Sequence, residues 1–224
     1  MPSSPSVKPL KLSPSSLNAF RDCPKCFWLD MNGKGAPPGF PMALLCVMDG
    51  IQKRYYDSHR AEGLPPMLKG KVPFKLVDLE TAEKLRHYIT WNDEQTGAVL
   101  RGKMDDCFID RDGTLVVMDN KTRSGEFKEI YDGYMFQLDT YAFLLAKNGF
   151  KVGKTGYIVY FVPDKESDME KGVKFDVDVK SVELHPGRVL GVFRDAVKLA
   201  RQAKPPANHK ECEMCAWVAK MGEM

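Results

Sequence analysis

RGKMDDCFIDRDGTLVVMDNKT occupies residues 101–122, and the way it folds decides what can surround it. RDG (111–113) is a turn signal between two runs rich in β-formers, so the stretch reads as a hairpin. A three-residue turn with Gly113 in the left-handed conformation folds it about Asp112. Positions equidistant from Asp112 then face each other. Asp105 comes opposite Asp119, with Cβ atoms about 5 Å apart. A bulge that shifts the register by one would give that role to Asp106. Alternation puts Leu115, Val117, Asp119 and Lys121 on one face, and Val116, Met118 and Asn120 on the other. An apolar strand thus delivers an acid and a lysine at its end. Two carboxylates this close repel unless a cation lies between them. Asp oxygens and water suit Mg2+ or Mn2+, and Lys121 can neutralise charge or orient a water beside the ion. A solvated surface hairpin would carry the same letters, so the D-x-K pattern needs its neighbours.

Outward from the hairpin, 130–148 reads as a helix with Phe136, Tyr141, Leu144 and Leu145 apolar. Gln137 and Tyr141 share a face at i, i+4, with Tyr134 close to it. That face is either a polar rim or a set of donors aimed at a substrate backbone. Strands follow at 156–163 and 173–184, then a helix at 186–203. Upstream, Ser15 or Ser16 caps a helix through Leu17, Phe20 and Phe27, which Pro24 interrupts. A Gly/Pro loop at 33–41 precedes a helix over 42–61, with Leu44, Leu45, Met48, Ile51 and Tyr55 apolar. A short strand is expected within 67–78, a helix over 80–91, a turn at 93–97 and strands over 99–109 and 114–122. This order predicts an α/β fold with a mixed sheet, not a doubly wound one.

The chain has 224 residues, 43% hydrophobic, with net charge +3 and a pI near 8.4. That supports one domain with a real core. It excludes the strongly basic profile of a passive nucleic-acid binder. No apolar run is long enough for a transmembrane helix, so no membrane is expected. The Pro/Ser-rich start has no signal-peptide h-region. A reducing compartment follows as the expectation, hence a cytoplasmic protein. Six cysteines there argue for metal or thiol chemistry over disulfides. Two pairs share a frame at opposite ends, CPKCFWL from Cys23 and CEMCAWV from Cys212. Cys46, in an apolar helix, and Cys107, in a strand, are expected in the core.

Together these segments resemble the PD-(D/E)xK nuclease superfamily in its RecB-like branch, which includes the AddB-type and CRISPR-adaptation iron-sulfur exonucleases. LSPSSLNAFRDCPKCFWL (12–29) is similar to the branch's opening S-x-S-x-(aromatic)-x-x-C-P segment. GKMDD (102–106) resembles its G-x-x-D strand, DNKT (119–122) its (D/E)-x-K-T, and QLDTY (137–141) its Q-x-x-x-Y. The resemblance implies a restriction-endonuclease-like α/β core, a central mixed sheet flanked by helices, with N- and C-terminal segments joined by a four-cysteine metal site. It divides the chain into a flexible lead (1–11), a single RecB-like nuclease domain (12–218) stapled through 12–31 and 205–218, and a tail (219–224).

The activity implied is a Mg2+- or Mn2+-dependent phosphodiesterase, a DNA exonuclease on single strands or ends, in DNA repair, recombination or phage- or CRISPR-type processing. Asp105, Asp119 and the backbone carbonyl of Asn120 would hold the metal. Lys121 would be the catalytic lysine, and Gln137 and Tyr141 would position the strand or the metal site. Arg123, Lys128 and Tyr134 are candidate DNA contacts, and Arg21, Lys25, Lys53 and Arg54 could line the path. Many members place a histidine ligand on the helix before the hairpin. Here Asp49 stands at the equivalent place and is the candidate substitute, with His59 nearly three turns further on. Family members close the fold with a 4Fe-4S cluster, for which the resemblance makes Cys23, Cys26, Cys212 and Cys215 the candidate ligands. The usual pattern is one N-terminal and three C-terminal cysteines. Two and two also fits Zn2+, the alternative. No GxxxxGK(S/T) motif is present, so unwinding would come from a partner helicase. The competing readings are a catalytically silent DNA-binding module and a zinc-stapled interaction protein. The second leaves the hairpin acids, Gln137 and Tyr141 unexplained.

Overall fold

Ser13, not Ser15 or Ser16, starts the first helix. In the computed structural model, which describes residues 9–36, 43–125, 129–168 and 170–222, β1 (Lys11–Leu12) leads into α1 (Pro14–Asp22). The Ser13 hydroxyl accepts from the Ser16 N–H, and the Ser16 hydroxyl accepts from the Ser13 N–H. Pro14 fits the first helical position, where its missing N–H costs nothing. The chain breaks at Cys23, which is extended (φ −154°, ψ 103°), as a residue before proline prefers. α2 (Pro24–Met31) starts there, and the Cys23 thiolate position accepts the Cys26 N–H at 3.4 Å. The anticipated interruption at Pro24 is therefore a complete change of helix.

α3 (Ala43–His59) is followed by 3-10 turns at Arg60–Glu62 and Pro66–Leu68, then β2 (Lys75–Leu76) and α4 (Leu79–Arg86). The helix expected over 80–91 stops at Arg86. Ile89–Asp93 is a strand, β3, whose Trp91 packs edge-on against Phe143 and Phe193. The strand expected over 99–109 is two, β4 (Ala98–Gly102) and β5 (Asp106–Ile109), in different sheets. The break follows Gly102. A Cβ there would stand 2.9 Å from Leu144 Cδ1 and 3.2 Å from Tyr141 Cε1, so only glycine lets the strand end so close to the following helix. β6 (Leu115–Thr122), α5 (Asp132–Lys147), β7 (Thr155–Pro163), β8 (Phe175–Glu183) and α6 (Gly187–Ala200) match the sequence reading closely. α7 (Glu213–Gly222) carries Cys215, with Cys212 immediately before it, and adds a helix that the sequence reading did not name.

The described residues form two sheets, β1-β4-β3 and the mixed β2-β5-β6-β7-β8. In the larger, β6 and β7 run parallel with α5 as their crossover, and the other neighbours are antiparallel. The hairpin folds about Asp112: Ile109 pairs with Leu115 and Asp106 with Met118, and Gly113 takes φ +79°. Alternation divides the core. Cys107, Leu115, Val117, Ile158 and Tyr160 pack with α1, α5 and α6. Phe108, Val116, Met118, Val159 and Phe161 pack with Tyr56 of α3 and Leu68. Each fully buried Phe or Leu contributes roughly 2 kcal/mol. Burial thus holds β6 on both faces and leaves only its last residues for other work.

Two burial expectations change. Cys107 is buried, but Cys46 is exposed. The apolar stripe of α3 is covered only in part: Met48 is buried, whereas Leu44 is 73% exposed and Ile51 is exposed. The side chain of Leu45, Lys128, and parts of the lead (1–8), the 33–41 loop (37–41) and the tail (223 and 224) lie outside the described residues. No described helix is long and apolar enough to cross a membrane.

Candidate active site

β6 is apolar until Met118 and then presents Asp119, Asn120 and Lys121 at the end of its buried run. Asp119 is 3% exposed. Its Oδ1 accepts from Gln137 Nε2 at 2.9 Å, and its Oδ2 lies 2.5 Å from Lys121 Nζ. That Oδ2 makes no aligned hydrogen bond. Gln137 also donates to Tyr141 Oη at 2.8 Å, while its Oε1 accepts from Lys121 Nζ at 3.2 Å. The i, i+4 pair on α5 therefore meets the strand acid and the lysine, as the shared face predicts. Tyr134, one turn earlier, holds its ring 4.5 Å from Lys121 Nζ.

Asp105 joins from the loop before β5. Its Oδ2 accepts the Asn120 N–H at 3.4 Å, which brings the two acid-bearing segments together in the register about Asp112. Asn120 is tied from the other side, its Oδ1 accepting from Tyr56 Oη at 2.7 Å. From α3, Lys53 Nζ lies 2.7 Å from Asp49 Oδ1 and 3.5 Å from Asp105 Oδ1. Asp49 is thus brought to the same site. His59 is not, since its Nδ1 turns back to the Tyr55 carbonyl at 2.8 Å.

Burial pushes Asp119 up to about 6, with Asp105 and Asp49 adding to the rise and Lys121 opposing it. Burial also raises Asp105, against Lys53. Three acids at one strand end concentrate negative charge in a low dielectric, which a cation relieves. The donor set is all oxygen, as hard divalent ions require.

Asp106 does not replace Asp105. It is fully buried and points to the opposite face, where Arg60 and Arg86 both pair with it. The same arginines hold Asp57, and Arg86 Nε donates to the Asp105 carbonyl at 3.1 Å. Sequence reasoning missed this clamp behind the site and gave Lys53 only a place along the path. The i, i+4 spacing of Asp49 and Lys53 was the one available signal. Of the candidate DNA contacts, Arg123 has its guanidinium 5.7 Å from the Tyr160 ring centroid, and Tyr134 adjoins Lys121.

The cysteine pairs meet. Cys23 Sγ is 3.6 Å from Cys215 Sγ, and Cys26 Sγ is 3.6 Å from Cys212 Sγ and 3.9 Å from Cys215 Sγ. All four sulfurs lie within 4.8 Å of one another, a possible metal site joining the terminal segments. Burial raises the Cys26 thiol. Cys212 falls to about 7 because it accepts the Cys215 N–H.

Comparison with known proteins adds one family. The model described as the PD-(D/E)XK nuclease superfamily matches residues 48–219, a span holding Asp49, the hairpin, α5 and the second cysteine pair. No curated protein matches the chain. Among solved structures, the crystal structure of SSO0001 is similar at 15% identity and a TM-score of 0.45, covering 96% of this chain and 87% of that one. A likeness that loose bears on nothing below.

Proposed function

The chain belongs to the PD-(D/E)XK nuclease superfamily, and from that premise we propose that it is a Mg2+- or Mn2+-dependent DNA exonuclease of the RecB-like branch, acting on single strands or free ends. The observation that carries the reading is the contact set at the end of β6: Asp119 and Lys121 of β6, Gln137 of α5 and Asp105 of the loop before β5 meet from three segments. Asp105, Asp119, the Asn120 carbonyl and Asp49 would hold the metal. A bound divalent ion supplies positive charge against phosphate oxygens and acidifies water. Lys121 stabilises the charge that grows on the phosphate during attack. Gln137 fixes both its partners at once, accepting from the lysine and donating to the acid. Tyr141, with its hydroxyl held in the core, stops Gln137 from turning away.

The four thiolates form a second, structural site. A tetrahedral ion with Zn–S bonds of about 2.3 Å sets sulfurs about 3.8 Å apart, which agrees with the closest separations here, 3.6 and 3.9 Å. A 4Fe-4S cubane gives each thiolate its own iron and spreads them further. The spacing therefore supports zinc over the iron-sulfur cluster implied by the RecB-like resemblance. Colourless protein with one equivalent of zinc is expected; brown protein with iron absorbance would reverse the choice.

End-labelled single- and double-stranded DNA incubated with Mg2+, Mn2+ or EDTA tests the activity. Metal-dependent release of label from wild type, absent in Asp119→Ala, is expected. Equal cleavage by the two proteins would remove the active-site assignment.

A further inference from the structure

Tyr131 is 52% exposed, yet it is fixed from three sides. Its hydroxyl donates to Asp22 Oδ2 of α1 at 3.3 Å. Its ring stands edge-on to Tyr134, centroids 5.2 Å apart. It also presses on Gly133, where a Cβ would lie 2.3 Å from Tyr131 Cε1. α1 braces that glycine through Asn18 Nδ2, which donates to the Gly133 carbonyl at 2.8 Å. An exposed aromatic side chain ordinarily keeps its rotamer freedom. Here a glycine, a carboxylate and a second ring remove it.

The pair leads straight to the candidate site. Lys121 Nζ lies 4.5 Å from the Tyr134 ring, and the Tyr131 ring comes next outward. A nucleotide whose phosphate sits at Lys121 carries its base to about this distance. We propose that the exposed Tyr131 ring, propped edge-on by Tyr134, is a stacking platform for an unpaired nucleobase next to the phosphate at Lys121. This rests on the nuclease reading and adds the substrate class: a strand whose end bases are unpaired. Every base has a π-face, so such a platform is indifferent to sequence. A base still paired in a duplex cannot leave its partner to lie on it.

Affinity is read by fluorescence anisotropy in Ca2+, using a short single strand and copies with one abasic nucleotide at successive positions. For wild type, one abasic position near the cut is expected to weaken binding about tenfold, the range found for a stacked base. Tyr131→Ala should bind the intact strand about tenfold more weakly and lose nothing more at that abasic position. Tyr131→Phe should stay close to wild type. Gly133→Ala keeps the ring but pushes it aside, and should resemble Tyr131→Ala. A misfolded variant would lose affinity for every strand and its abasic penalty alike, and melting of each variant identifies that case, leaving Tyr131→Phe and the abasic scan of wild type to decide. Wild type that binds and cleaves yet shows no abasic penalty, or an equal penalty in Tyr131→Ala, overturns the platform alone. Wild type that neither binds nor cleaves single strands overturns the nuclease reading and the platform with it.

Discussion

Lys121 touches Asp119, Gln137 and the Tyr134 ring, so its charge is held in place before any substrate arrives. On the proposed reading its use is greatest when negative charge grows on phosphate, so its loss should raise the barrier more than it weakens binding. Lys121→Ala is expected to cleave at least about a hundredfold more slowly, about 3 kcal/mol, while binding single strands within a few-fold of wild type. Single-turnover cleavage in Mn2+ and anisotropy in Ca2+ measure the two separately; an equal loss in both would make Lys121 a phosphate anchor. Lys53 plays a different part. Its ammonium lies between Asp49 and Asp105, where a metal would also be drawn. Lys53→Met should therefore tighten Mn2+ binding several-fold in calorimetry, and weaker binding would show that Lys53 holds the acids for the metal. Asp105, Asp119 and Lys121 were legible because strand alternation and one Asp-Gly turn fix their face. Lys53 was not, because its second partner, Asp105, comes from 52 positions further on, and only the packing of α3 brings the two close.

At the scale of elements, the hairpin is braced from behind. Asp106 has no exposure, and its charge is met by Arg60 and Arg86. Breaking a buried pair from one side leaves a charge without its partner. Arg60→Ala is expected to cost about 3 kcal/mol in urea unfolding, with Arg86 still in place; a change below about 1 kcal/mol would mean that water reaches Asp106. β3 offers a pH test. Arg194 donors hold Asp93 below the usual carboxylate range. A carboxyl depressed in the folded state stabilises above its unfolded value and loses that contribution as pH falls through the folded one. Wild type should thus melt higher than Arg194→Met at neutral pH, and the gap should close between about pH 4 and lower values. A gap independent of pH would place the effect in packing. The first residues of β3, 89–91, were read as the end of a helix because Leu85, Ile89 and Trp91 sit at spacings either element tolerates. The strand break after Gly102 was hidden for a related reason: the clash that requires glycine comes from α5, far along the chain.

For the whole molecule, the mixed sheet and the order of the long helices were legible, since β6, β7 and β8 announce themselves as β-rich or alternating runs and each long helix by its stripe. The exposed half of the α3 stripe was not, because periodicity reports an apolar face without saying what covers it. The meeting of Cys23 and Cys215, 192 positions apart, follows from a repeated sequence frame, but the sulfur spacing needed the fold. Cross-linking so long a loop removes about 5 kcal/mol of unfolded-chain entropy in the simplest account. Cys212→Ser should lose the bound metal and up to that stability, as seen by elemental analysis and urea unfolding together; retention of both would mean that the thiolates hold nothing. A last consequence is mechanical. With a metal holding the terminal segments together, tension applied at the two ends would load β1 and the metal–sulfur bonds before it reached the larger sheet. The intervening 192 positions are hidden length, released together as about 650 Å of slack when the lock gives way. A protein that pulls on this chain from its ends therefore meets the staple before it can disturb the strand that carries Asp119.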